Sequence, residues 1–143
     1  MTFSRKRREP GQKGFTLIEL LVVMVIIGLL AALVAPRLFP KLGKGKQSAA
    51  KAQIELLSQA LDQYRLDTGS YPSTQEGLNA LMTNPGQEKW DGPYLKKSLP
   101  LDPWGKAYVY QIPGTKGEFD LYSLGRDGKP GGDGEDKDVT NWD

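Results

Sequence analysis

One carboxylate stands alone in a long apolar run. Between Phe15 and Ala35 the only charged side chain is Glu19. At that depth in a bilayer a carboxylate costs about 2.5–3.5 kcal/mol on insertion scales, so it needs a partner or a task. The intact chain offers no partner within the run. Cutting after Gly14 would create one, because Phe15 would then carry a cationic α-amino group. A neighbouring copy would present that amine to Glu19 inside the membrane. The segment is therefore expected to be a processed assembly device as well as an anchor.

A second group of carboxylates lies near the other end. Asp127-Gly128-Lys129-Pro130-Gly131-Gly132-Asp133-Gly134-Glu135-Asp136-Lys137-Asp138 is rich in glycine and acids. Hard cations such as calcium take about six to eight oxygen ligands from carboxylates and carbonyls. Glycines let a short loop curl so that such oxygens converge. The spacing fails the EF-hand pattern, which needs acids or Asn at alternate positions before a Gly. On spacing alone, a solvated acidic loop and a metal site both stay open. The chain has no Cys and no His, so disulfides, thiol chemistry and imidazole bases are excluded. Ser123 has no histidine to activate it, and no nucleophile–base pair is evident.

The net charge of +2 hides a strong polarity. Arg5, Lys6, Arg7, Arg8 and Lys13 precede Phe15, accompanied by one acid, Glu9. Removing residues 1–14 leaves fourteen basic and sixteen acidic side chains. Lys41, Lys44, Lys46 and Lys51 cluster after the apolar run, a position suited to lipid head groups. Eight acids fall between Glu118 and Asp143. No basic stretch is interleaved with aromatics as in a nucleic-acid site, so no nucleic-acid partner is expected.

Particular elements must position these groups. Phe15 to Ala35, 21 residues, spans roughly 30 Å as a helix, about the hydrocarbon thickness of a bilayer. The basic residues before it favour a cytoplasmic N-terminus, with the soluble part on the far side. One competing reading is an ordinary signal cut after Ala35 in Ala31-Ala32-Leu33-Val34-Ala35. That cut would put Pro36 first in the mature chain, where proline is poorly tolerated, and would leave Glu19 unexplained. A plain uncleaved anchor is the other alternative. Gly28 permits close approach of a second helix. Pro36 removes a backbone donor and opposes helical backbone at Ala35. Pro40, Gly43 and Gly45 follow, so a hinge is expected at Pro36, with the helix kinked or partly unwound over 36–45.

Beyond the hinge, Ala50, Ile54, Leu57, Leu61 and Tyr64 form one helical stripe. Gly69 is placed to cap that helix near Asp67-Thr68. Ser73-Thr74-Gln75-Glu76 matches a capping box, and a short helix is expected over about 74–82, stopped by Asn84-Pro85-Gly86. Tyr108 to Ile112 and Glu118 to Ser123 read as strands joined by a hairpin turn over 113–117. The expected fold is α+β, a long N-terminal helix packed on a small antiparallel sheet.

Gly14-Phe15-Thr16-Leu17-Ile18-Glu19-Leu20-Leu21-Val22 resembles the class III signal of type IV pilins and type II secretion pseudopilins. The resemblance implies that a prepilin peptidase cleaves after Gly14 and methylates Phe15, and it assigns Glu19 and Thr16 to assembly. Four further segments narrow it: Tyr71-Pro72-Ser73-Thr74-Gln75-Glu76-Gly77-Leu78, Leu101-Asp102-Pro103-Trp104-Gly105, Ser123-Leu124-Gly125-Arg126-Asp127-Gly128, and Asn141-Trp142. In this order they resemble the general secretion pathway protein G family of major pseudopilins.

That resemblance implies a pilin-like fold with three parts: a cleaved leader 1–14, a membrane and assembly helix 15–36, and a periplasmic domain 37–143. It also implies structural calcium in the loop 124–138, with side chains of Asp127 and Asp133 and carbonyls of Leu124 and Lys129 as ligands. Related sequences often carry a second polar side chain where this chain has Gly132 and Gly134, and Glu135, Asp136 or Asp138 would then compensate. The implied partners are identical copies in a helical filament, the peptidase, an inner-membrane assembly platform, minor pseudopilins and the membrane. The implied location is the bacterial inner membrane, crossed once, with the C-terminal domain periplasmic. The function expected is a non-catalytic subunit of the periplasmic pseudopilus of type II secretion, helping to drive folded proteins across the outer membrane. The alternatives are a type IV pilin of a surface fibre and a membrane-anchored periplasmic enzyme or calcium-binding module.

Overall fold

A computed structural model describes residues 14–143, so residues 1–13 of the expected leader lie outside the described residues. The chain falls into two compact units that divide between Leu38 and Phe39. Helical backbone runs through that division, because α1 extends over Leu17–Thr68.

In the first unit, Thr16 caps the helix. The Glu19 N–H donates to Thr16 Oγ1 at 3.2 Å, and the Leu20 N–H donates to the Thr16 carbonyl at 3.2 Å. The first bond satisfies one orphan donor of the helix start, and the second is the first intrahelical bond of α1. Leu17–Pro36 is long and apolar enough to cross a membrane, and none of it is buried within the molecule. A helix apolar on every face and covered by nothing needs lipid or other helices around it.

Of the kink or partial unwinding expected over 36–45, the unwinding does not occur. The segment is helical throughout, with Pro36, Pro40, Gly43 and Gly45 all inside α1. Each proline deletes one backbone donor, which deprives the carbonyls of Ala32 and Pro36. These two lost bonds lie one turn apart, and the ladder on either side is intact. Two missing bonds weaken a 52-residue helix without ending it.

In the second unit, Ala50, Ile54, Leu57, Leu61 and Tyr64 are all buried. They pack with Leu81, Tyr108, Tyr110, Phe119, Leu121 and Val139 in one core. Each fully buried Leu contributes about 1.5–3 kcal/mol. Gly69 closes α1 as expected, with φ 93° and its N–H on the Arg65 carbonyl at 2.7 Å.

The short helix expected over 74–82 is corrected to a 3₁₀ turn at Leu78–Leu81. The capping bond does form, since the Glu76 N–H donates to Ser73 Oγ at 3.1 Å. Gly77, at φ 63°, then turns the chain left-handed and stops the helix before it starts.

Strands β1 (Val109–Gln111) and β2 (Asp120–Ser123) form the expected antiparallel hairpin. A third strand, β3 (Val139–Thr140), pairs antiparallel with β2 and was not foreseen. Asn141 holds this edge: its side chain accepts from the Leu121 N–H at 2.9 Å and donates to the Phe119 carbonyl at 3.2 Å.

The three tryptophans occupy different regions. Trp90 donates to the Ala80 carbonyl at 2.8 Å and meets Tyr94 edge-on. Trp104 follows Asp102 in a tight turn. Trp142 meets the ring of Tyr122 at 5.9 Å.

Candidate assembly and cation sites

The assembly site is built at the start of α1. Gly14 is exposed, and among the described residues nothing lies within 4 Å of a Cβ built on it. Phe15 is 85% exposed. Glu19 sits in the first helical turn, in a shallow recess shared with Phe15, Ile18, Val22 and Val23. The helix dipole favours an acid there. Among the described residues its carboxylate takes part in no hydrogen bond or ion pair; only its N–H is engaged. Thr16 is thus placed as a helix cap, a role that Thr-x-x-Glu spacing signals and that the sequence reading overlooked.

The loop site starts from a buried junction. The Asp102 carboxylate is buried. Its Oδ1 accepts from the N–H groups of Trp104 at 3.1 Å and Lys106 at 2.8 Å, and its Oδ2 accepts from the Ser123 hydroxyl at 2.7 Å. Ser123 Oγ in turn accepts from the Gly125 N–H at 3.2 Å. Two segments far apart in sequence therefore meet here and fix the start of the loop. Gly125, at φ 74°, lies against three consecutive carbonyls: a Cβ there would sit 2.8–2.9 Å from the oxygens of Glu135, Asp136 and Lys137. Only glycine allows so close an approach.

The acids of the loop divide by partner. Arg126 pairs with Glu135 Oε2 at 2.8 Å and Asp136 Oδ1 at 2.9 Å, and with Asp136 Oδ2 at 3.2 Å. Asp136 is therefore held by an arginine, and so is Glu135. Asp127 Oδ1 accepts from the Lys129 N–H at 3.0 Å. Asp133 is exposed and opens a 3₁₀ turn, Gly134–Asp136, without capping it. Asp138 Oδ2 accepts from the Gly131 N–H at 3.1 Å, while its Oδ1 is buried and has no partner among the described residues. Among the described residues no group of three or more acidic side chains is gathered tightly enough to hold a metal alone. A cation here would depend on carbonyl oxygens as well.

The loop and the last strand also lie along α1. Gln47 Nε2 donates to the carbonyls of Gly134 and Lys137. Lys51 Nζ donates to the carbonyls of Thr140, at 2.6 Å, and Asp143.

Comparison with known proteins places this geometry. The family described as "Type II secretion system (T2SS), protein G" matches residues 37–142. This chain belongs to the type II secretion system protein G family. A "Prokaryotic N-terminal methylation motif" matches residues 10–35, across the Gly14–Phe15 bond and the apolar helix. Type II secretion system core protein G of Pseudomonas aeruginosa is 55% identical over 138 residues, covering 92% of this chain and 96% of that protein. The protein of the same name from Vibrio cholerae is 46% identical, covering 92% of each chain. The crystal structure of the major pseudopilin from the type 2 secretion system of enterohaemorrhagic Escherichia coli aligns with a TM-score of 0.61. It is 33% identical, covering 71% of this chain and 87% of that one.

For this protein G family member the pilin-like α+β fold is therefore established. The Asp102–Ser123 junction joins two of the segments on which the family resemblance rested. The pairing of Arg126 with Glu135 and Asp136 escaped the sequence reading. Alternating acids and glycines do not reveal which carboxylate an arginine nine or ten residues away will take.

Proposed function

We propose that the chain is a structural subunit that polymerises into the periplasmic pseudopilus of type II secretion and helps drive folded proteins across the outer membrane. The observation that carries this reading is the order of two matched parts: a methylation motif on a fully exposed apolar helix, then a protein G domain. The helix anchors the unassembled subunit in the inner membrane with its domain in the periplasm. Prepilin peptidase cuts after Gly14 and methylates Phe15. The new amine of one copy meets Glu19 of a neighbour, which gives the carboxylate the partner it lacks among the described residues. Repeating one head-to-tail contact generates an open helix. Assembly draws on the inner-membrane platform, and minor pseudopilins complete the filament. The subunit catalyses nothing: the Ser123 hydroxyl is committed to Asp102, and the chain has no histidine to activate it. A surface-fibre pilin is not favoured, because the curated relatives named above are secretion proteins.

Calcium is the proposed structural cofactor of the loop. The donor set is all oxygen, which suits a hard cation, and the buried, unpartnered Asp138 Oδ1 is an acceptor awaiting a positive group. Asp127 and Asp133 would hold the ion through side chains, Leu124 and Lys129 through carbonyls, with Asp138 as the additional carboxylate. Asp136 is less suited, being occupied by Arg126. Bound calcium would supply charge neutralisation and cross-linking of the loop.

The test of the subunit reading replaces the chromosomal copy with wild type or Glu19→Val. The wild-type mature chain should begin at a methylated Phe15 by intact mass and support release of exoproteins. Glu19→Val should insert in the membrane yet form few pseudopili and reduce secretion at least about tenfold. A mature chain that retains residues 1–14 would overturn the processing step. Normal pseudopili from Glu19→Val would overturn the role of Glu19.

A further inference from the structure

The stretch of α1 from Pro40 to Lys51 is poorly suited to stay helical by itself. It holds Pro40, Gly43 and Gly45, and Lys41, Lys44 and Lys46 add like charges along it. Glycine costs about 1 kcal/mol relative to alanine in a helix, and proline costs more. The core does not compensate. From Pro40 to Ala49 only Gly43 is buried and only Gln47 is partly covered; the core stripe begins at Ala50. What covers this stretch comes from the C-terminal segment. A Cβ on Gly43 would collide with the Glu135 side chain, so glycine is what lets Glu135 rest on the helix. Gln47 reaches the carbonyls of Gly134 and Lys137. Lys51 reaches those of Thr140 and Asp143. Residues 43, 47 and 51 are spaced by four and so share one face of the helix.

We propose that residues 134–143 act as a strap that keeps α1 helical between Pro40 and Lys51, so that order in this stretch follows docking of the strap and not intrinsic propensity. Arg126 braces the strap from behind by gripping Glu135 and Asp136, and pairing of β3 with β2 anchors its far side. When the strap leaves, the buttressed helix of the second unit begins near Ala50. Gln47 and Lys51 are positioning residues in this device. The inference goes beyond the pseudopilus reading and does not depend on it.

The substitutions that test it carry an informative sign. Gln47→Ala and Lys51→Ala each raise intrinsic helix propensity, so a self-sufficient helix would exchange its amides more slowly. If the strap holds the helix, exchange must quicken instead. The measurement is hydrogen–deuterium exchange by mass spectrometry on the full chain in detergent micelles, comparing amides 42–50 with amides 54–61. Each variant should exchange roughly fivefold faster over 42–50, the effect of about one lost hydrogen bond, with 54–61 unchanged. Lys51→Arg, which keeps a donor, should stay close to wild type. Slower or unchanged exchange over 42–50 in both alanine variants overturns the proposal. So does equal acceleration over both stretches, which would report general loosening.

Discussion

Asp120 shows how the bonds around one carboxylate feed into stability at acid pH. It is buried at the start of β2. Burial pushes its carboxyl upward, but the Thr115 hydroxyl at 2.8 Å, the Thr115 N–H at 3.0 Å and the Lys116 backbone outweigh that and hold it below the usual aspartate value. A carboxyl depressed by folding adds stability above its unfolded value, and that stability is lost as the pH falls through its folded value. Thr115→Val removes one donor and lets the carboxyl rise. Its acid unfolding midpoint, followed by circular dichroism, should therefore move to higher pH than in wild type. An identical midpoint would show that the hydroxyl does not matter. Glu19 differs at this scale, since its N–H is engaged with Thr16 while its carboxylate faces an apolar recess. That mismatch was legible from sequence, because a lone acid in an apolar run is conspicuous without coordinates.

At the scale of elements, Ser123 ties the end of β2 to the Asp102 turn that precedes the hairpin. Ser123→Ala would leave Asp102 Oδ2 buried without its donor. We expect a loss of about 1–3 kcal/mol in urea unfolding, the cost of an unsatisfied buried acceptor. A loss below about 0.5 kcal/mol, within the range of ordinary surface substitutions, would mean that the junction is not held by this bond. The elements read correctly from sequence were those with a repeated signal. The stripe from Ala50 to Tyr64 announced the buried face of α1, and Gly69 its end. Those misread depended on context. Pro36, Pro40, Gly43 and Gly45 signalled a kinked or partly unwound joint, yet helical backbone continues through all four. Gly77 looked like part of a short helix, but its left-handed backbone blocks one. Strand β3 is two residues long and exists because β2 and Asn141 recruit it. No period can show in two residues.

For the whole molecule, the second unit closes without disulfides and leaves a glycine-rich loop with little apolar surface. A ligand that binds only the folded state adds stability by mass action. Chelation of the full chain in detergent should lower its unfolding midpoint by at least about 4 °C, the shift that roughly 1 kcal/mol produces in a domain of this size. Calcium should restore the midpoint, and magnesium much less, because its smaller octahedral shell keeps its waters. Asp127→Ala and Asp133→Ala should each mimic chelation, whereas exposed Glu55→Ala should not. A midpoint indifferent to chelator would leave the loop a solvated acidic one. These events can be followed in light as well as in heat. Trp90 lies over the helical core, Trp104 beside the Asp102 junction, and Trp142 edge-on to Tyr122 at the end of the C-terminal segment. The chain thus carries three built-in fluorophores, one in each region whose behaviour differs. Replacing two of them with phenylalanine would leave a single emitter, and Trp142 alone would shift to longer wavelength when the C-terminal segment lifts while the core stays dark to the change.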